Sequence, residues 1–576
     1  MADGANRAED DEVRPLWRRL PMPVAVVVAG LLLALVVWGP LVLGGGGRLL
    51  DEGDAKFEAW NVDWVQHALT SSDSLFDANI FHPTPDTLAY SDTRIAPAVA
   101  TLPVRWLGAS PTTVLNVALY LGVVGNFVAA WWAGWTLRRT HLAGAVVGVV
   151  YAFGPLPSFF MLHVHMTWRM SLPLAIVGIW RIANRTAEDP ADDEEQDTPD
   201  RADWSAWGAL ATASLLALGT SIYQAGFLAL GVLVALIVRW RDLTPRRVGE
   251  IVAALAVGAL PCVPIVLAHL RVLNSGEVAS YGLAAVANLS AQVGLVDRRV
   301  LLWRGWLGPS TPAERLLLPT FPGVAPLIGA ATGWFAAGRD HRHQRTLGLS
   351  LLVLGAVLGF GLSDTGWRRF TPMRLLFEMP GFNAIRGAGR YWTLALFGLA
   401  ILCASAVVWL DRTLRDRGTG SLMRVGVAGV LLALPIVEGW PDLSDLPTAT
   451  VTPLDQRLEA GSGAIAYLPL NIAEDGIDFI SPAEISAVFR STAHHRPILN
   501  GYSGTFPQSF LDISNELKAL PDPEAIAELK RLDVTDVVVT PAVAGTPWQA
   551  LLDPAQADPL QLVGQEPNGD LHYRVP

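Results

Sequence analysis

Residues 51–64 read DEGDAKFEAWNVDW: five carboxylates (Asp51, Glu52, Asp54, Glu58, Asp63) and two indoles (Trp60, Trp64), placed directly after an apolar run. A carboxylate where a membrane cavity opens to water can deprotonate an incoming hydroxyl. It can also hold a divalent cation such as Mg or Mn against a phosphate leaving group. Asp54, behind Gly53, is the first choice for such work, although a solvated acidic loop has the same composition. Trp60 and Trp64 share a helical face at their spacing, where they either contact substrate by stacking on a sugar ring or serve as interfacial belt aromatics.

Other reactive types cluster further on. The stretch DANIFHPTPDTLAYSDTRIAP (77–97) gathers Asp77, His82, Asp86, Asp92 and Arg94 among prolines. There Asp92 is a candidate second acid or metal ligand, or else a salt-bridged cap, and His82 is either a substrate or metal contact or a structural His-Pro. In MLHVHMTWRM (161–170), His163 and His165 share a face in a strand but not in a helix. Their spacing is not a zinc pattern and suits hydrogen bonding to substrate or to the first loop. Arg386 and Arg390, in MRLLFEMPGFNAIRGAGRYW (373–392), could grip a phosphate through bidentate guanidinium contacts; snorkelling toward the interface is the plainer reading. HHRPILNGYSGTFPQSF (494–510) lacks the spacing of a nucleophile elbow and is assigned to acceptor binding or to packing on the first loop. No phosphate loop, dinucleotide fingerprint or cysteine-based zinc pattern occurs, and Cys262 and Cys403 fall in apolar spans as small core residues.

The elements that must position these residues are those of a membrane protein. Of 576 residues, 51% are apolar and 16% charged, against roughly a quarter charged in soluble domains. Only Lys56, Lys518 and Lys530 are lysine, as in a GC-rich bacterial coding sequence, and the net charge of −11 gives no reason to expect a nucleic-acid partner. Spans of about 20 apolar residues fall near 21–44, 111–137, 142–160, 170–184, 204–220, 223–240, 248–270, 320–338, 346–362, 390–411 and 421–440, about 11 in all. The proline-broken stretch 95–107 reads as re-entrant or interfacial.

Arg14, Arg18 and Arg19 precede the first span and hold the N-terminus in the cytoplasm. Alternation then places Arg138/Arg139, Arg246/Arg247, RDHRHQR (339–345) and RTLRDR (412–417) there too, as the positive-inside bias requires. The loops 45–110, 271–319 and 363–389 and everything after 441 go outside a bacterial cytoplasmic membrane. The acidic run 186–203 reads as a solvated linker. The expected organisation is a polytopic α-helical membrane domain over 1–442 and an extracytoplasmic α/β domain over 443–576. In the latter, AIAYLPL (464–470) and VTDVVVT (534–540) read as strands, DPEAIAELKRL (522–532) as a capped helix, and Asn568-Gly569 as a hairpin turn.

Gly53-Asp54 with Trp60 and Trp64, FHP (81–83) before Ser91-Asp92, the H-x-H loop followed by Pro173-Leu174, PGFNAIRGAGR, and the tail's LPL…NGYSG…FP occur in this order. Together they resemble bacterial members of the type C glycosyltransferase (GT-C) superfamily that carry an α/β tail. The resemblance implies an inverting membrane glycosyltransferase that takes a sugar from a polyprenyl-phosphate donor. The acceptor, a glycan, lipid or protein, arrives from the water side in cell-envelope synthesis. It implies Asp54 as base, Arg386 and Arg390 on the donor phosphate, and Trp60 or Trp64 on the sugar. The lack of a clean acidic pair leaves a metal requirement open. A transporter or flippase of lipid-linked saccharides would share the many spans and outer arginines, but such carriers need intramembrane ionisable groups, which are few here. A non-catalytic assembly partner fits the same sequence.

Overall fold

The computed structural model describes residues 21–45, 47–185, 203–278, 299–308, 319–336, 341–362, 366–379, 387–471 and 481–576. Six helices among these are long and apolar enough to cross a bilayer: Met22–Leu43, Pro111–Arg138, Ile222–Arg239, Pro245–Asn274, Ala388–Asp416 and Ser421–Glu438. They match six of the eleven expected spans. The other five give shorter or more polar helices: His141–Ala152 followed by Pro155–Phe160, Ser171–Ala183, Trp204–Thr220, Val324–Ala336 and Arg342–Gly359. His141–Ala152, Ser171–Ala183 and Val324–Ala336 rise only about 18–20 Å, and Trp204–Thr220 and Arg342–Gly359 about 26–27 Å, against a hydrocarbon thickness of about 30 Å. Stretch 95–107 is a helix, Ile95–Trp106, with Pro103 inside it.

The first four helices are α1 (Met22–Leu43), α2 (Asp54–Thr70), α3 (Ile95–Trp106) and α4 (Pro111–Arg138). α4 fixes the two ends of the body. Near its start Asn116 donates to the Arg48 carbonyl at 2.8 Å, and Ala118 accepts the indole N–H of Trp168 at 2.8 Å. At its far end, about 30 Å away by helix rise, Leu137 accepts from Gln344 at 3.1 Å and Arg138 reaches Ser405. His343 joins that end by donating from Nδ1 to the Val238 carbonyl, 3.2 Å away. The basic turns around 138, 239–247 and 341–345 therefore share the end opposite the 48–54 and 163–168 segments.

After residue 441 the chain forms a four-stranded sheet from β1 (Ala464–Leu468), β2 (Val534–Val539), β3 (Gln561–Gln565) and β4 (Leu571–Arg574), in the order β1-β2-β4-β3. β1 and β2 are parallel, as their connection through the helix Pro523–Arg531 demands, and β3–β4 is the hairpin expected around Asn568-Gly569. The free edge of β1 is covered by residues 497–499, with Leu499 N–H donating to Ile465 O at 3.0 Å. That segment in turn pairs with the first loop: Ile498 N–H to Asn79 O at 2.7 Å, Phe81 N–H to Asn500 O at 2.9 Å and His82 N–H to Ile498 O at 3.0 Å. The sheet is thus continued by a strand-like piece of the first loop, and an edge that would otherwise template association is closed.

Candidate active site

α2 carries the centre. Asp51 precedes it, its Oδ1 accepting the backbone N–H of Gly53 at 2.7 Å and of Ala55 in the first turn at 3.1 Å. One of the opening carboxylates is therefore a helix cap, favoured by the positive end of the helix dipole. Asp54 occupies the first turn with its side chain 40% exposed. One turn on, Glu58 is buried, as are Asn61 and Gln66, whose amides donate to Asp92 O at 3.3 Å and Ala98 O at 2.9 Å. These bonds lock α2 to segment 92–101.

The H-x-H pair meets α2 turn for turn. His163 has an extended backbone and precedes the short helix Val164–Thr167. Its Nε2 lies 2.9 Å from Oδ2 of Asp54, while Nδ1 of His165 lies 3.0 Å from Oε1 of Glu58. Asp54 and Glu58 stand one turn apart on α2, about 6 Å by helix rise, and each meets one ring of the H-x-H pair. The loop is held by Asn126, which donates to Thr167 O at 2.6 Å, and by Gly122, where a Cβ would meet Thr167 and Trp168 at 2.8 Å.

Beneath Asp54 the buried groups neutralise one another. Arg94 grips Glu58 with Nε at 2.5 Å and Nη2 at 2.9 Å, lies 5.1 Å over the Phe57 ring, and donates to the Asp92 carbonyl. Asp92 accepts the Ile222 N–H at 3.0 Å and stands 3.6 Å from Nε2 of His165. Burial raises the Glu58 carboxyl, but Arg94 and His165 outweigh it and hold it at about 2. Burial takes His165 down to about 4 against the pull of Asp92 and Glu58, leaving a neutral imidazole. Around Asp54, burial is outweighed by the His163 hydrogen bond and charge, by Tyr502 and by Arg390. The carboxyl therefore stays well below the usual range and is ionised.

Two groups come from far along the chain. The Tyr502 hydroxyl donates to Oδ1 of Asp54 at 2.8 Å, so the NGYSG turn packs on the first loop. Arg390 lies 4.4 Å over the Tyr223 ring and acts electrostatically on both Asp54 and Asp92. Arg386 lies outside the described residues.

Several expected site residues sit elsewhere. Trp60 and Trp64 are buried, with their indole N–H groups donated to Asn79 Oδ1 at 2.9 Å and Leu75 O at 3.2 Å. This corrects their assignment as sugar contacts: neither has a face open to a ligand, because α2 is enclosed by the tail and segment 75–79. His82 bonds the Leu532 carbonyl at 3.0 Å and belongs to the tail interface rather than to the site. Glu58 and Tyr502 are the functional residues that the sequence reading did not assign. The D-x3-E spacing on α2 was a usable signal for the first; the second lies in the 494–510 stretch that was assigned to acceptor binding or packing on the first loop, without Tyr502 being singled out.

Among the described residues no three His, Cys, Asp or Glu side chains converge as ligands, and the Arg94 guanidinium fills the space between Glu58 and Asp92.

A polytopic helical body joined to an α/β tail, with an acid-bearing helix after the first span, defines the class: the chain has the GT-C fold. No family model matches it, and no curated protein matches it in sequence. Among solved structures it is similar to the mycobacterial arabinofuranosyltransferase AftD, with a TM-score of 0.52 and 14% identity over 97% of this chain and 40% of that one. It is also similar to the Archaeoglobus fulgidus oligosaccharyltransferase, with a TM-score of 0.47 and 12% identity over 97% and 75%. The chain thus spans about 40% of the length of AftD.

Proposed function

We propose that the protein is a membrane glycosyltransferase that moves a sugar from a polyprenyl-phosphate donor to an acceptor on the outer side of a bacterial cytoplasmic membrane. The observation that carries this reading is Asp54. It is an ionised, part-exposed carboxylate at the mouth of a buried charge network, facing His163, Tyr502 and Arg390. Asp54 offsets the positive charge that develops at the anomeric carbon. Arg390 receives the phosphate as negative charge builds on the leaving group. The gathering of basic turns at the opposite end of α4 supports an outward-facing site by the positive-inside bias. Inversion follows if the hydroxyl attacks opposite the departing phosphate.

The test is turnover by purified full-length protein and Asp54→Asn with radiolabelled polyprenyl-phosphate sugars, scoring transfer to envelope acceptors with and without chelator. The reading expects turnover in the wild type and its loss in Asp54→Asn at unchanged protein level. Donor binding without turnover in either protein would favour a lipid-linked saccharide carrier or a non-catalytic partner.

A further inference from the structure

The arrangement around Asp54 bears on where the proton of the acceptor hydroxyl goes. Nε2 of His163 lies 2.9 Å from Oδ2 of Asp54. Two lone pairs do not meet at that distance, so against an ionised carboxylate Nε2 carries the hydrogen and Nδ1 is the basic nitrogen. Nδ1 has no hydrogen-bond partner among the described residues, and the His163 side chain keeps 12% exposure, enough for a ligand atom to reach its edge. The Asp54 carboxylate, by contrast, is engaged at both oxygens, by His163 and by the Tyr502 hydroxyl. A carboxylate so stabilised in its charged form is a weak base. An imidazole held by a carboxylate is the pairing in which the acid fixes the tautomer and balances the imidazolium, as in Ser-His-Asp hydrolases.

We propose that Nδ1 of His163 receives the acceptor's proton, with Asp54 orienting the imidazole and balancing its charge. This rests on the transferase reading and moves the base from Asp54 to His163. In the step, the acceptor O–H bond breaks and its proton goes to Nδ1. The oxygen's electron pair forms the new bond to the anomeric carbon, and the bond from that carbon to the phosphate oxygen breaks, its pair leaving with the polyprenyl phosphate. The imidazolium then faces Asp54, and Tyr502 keeps the carboxylate in place. His165 cannot substitute: its Nδ1 is committed to Glu58, and the side chain is buried.

The experiment measures full-length protein in nanodiscs with radiolabelled polyprenyl-phosphate mannose, glucose, galactose and arabinofuranose. His163→Gln, whose amide can still donate to Asp54, is expected to lose about 10²–10⁴-fold in kcat, the usual contribution of a general base, with donor KM little changed. His163→Ala is expected to regain turnover with added imidazoles, more strongly as their basicity rises; a purely structural histidine would show no such dependence. His163→Asn serves if the glutamine variant does not fold. Wild-type kcat in a folded His163→Gln or His163→Asn, or rescue that ignores imidazole basicity, overturns the assignment and leaves the transferase reading standing. A wild type inert with every donor removes both.

Discussion

The hydroxyl of Tyr502 donates to Oδ1 of Asp54 at 2.8 Å across 448 positions of sequence. The α/β tail thereby reaches the candidate site on α2. Tyr502→Phe deletes one donor and leaves the ring, which packs edge-on to Phe57 at 5.1 Å. A hydrogen bond to a charged group contributes about 1.5–3 kcal/mol, so kcat should fall by at most roughly tenfold to a hundredfold, beside a small drop in the unfolding midpoint. Steady-state kinetics beside a thermal melt checks this.

Gly501 lies against the first loop, where a Cβ would fall 2.1 Å from the Phe81 ring. Phe81 itself is wedged among Phe506 and Phe510 and cannot yield. Gly501→Val is expected to undock the tail, exposing new protease sites in 77–94 and abolishing turnover; limited proteolysis with and without the substitution reads it directly.

The Glu58–Arg94 pair is buried on both sides. Removing one partner of a buried ion pair costs about 3–5 kcal/mol, because the other charge is stranded, and removing both costs less. Arg94→Met should therefore lower the unfolding midpoint more than Arg94→Met combined with Glu58→Gln, which thermal unfolding of the two variants in one detergent will show.

Arg390 stacks on Tyr223, with no ion pair among the described residues, yet acts on Asp54 and Asp92. Arg390→Gln removes a charge-assisted contact of about 1.5–3 kcal/mol. Donor KM should rise by roughly tenfold to a hundredfold, and Arg390→Lys should recover part of the loss. Titrating the donor at saturating acceptor separates this from an effect on kcat.

Acid should destabilise the fold in two stages. Burial, chiefly, lowers His165 to about 4 and His494 to about 3 from an ordinary 6.5. The unfolded chain therefore takes up protons that the native protein refuses as pH falls below about 6.5, and stability drops with pH. Glu58, held at about 2 against an ordinary 4.5, contributes stability that is present above 4.5 and is lost as pH falls toward 2. The unfolding midpoint, followed from pH 7.5 to 4, should decline steadily, and His494→Gln should flatten the first stage.

Local pattern sufficed for the membrane class, for the six long helices, for the parallel strand pair and the hairpin of the tail, and for Asp54 as a residue of interest. Apolar length, strand alternation and an Asn-Gly turn act over a few neighbours and can be read without tertiary context. The five weaker spans also fold as helices, but their shorter or more polar sequences leave their depth to packing against neighbours rather than to their own length. Local pattern could not separate Trp60 and Trp64, which face the core, from Asp54, which does not: all three lie on α2, and only the docking of segment 75–79 and the tail decides which face is covered. The meeting of His163 with Asp54 needs a loop registered against a helix turn, and Tyr502 reaches the same carboxylate only because residues 496–501 extend the sheet into the first loop. Contacts of that range are set by packing and by backbone pairing between distant segments, so the tertiary structure alone could place them.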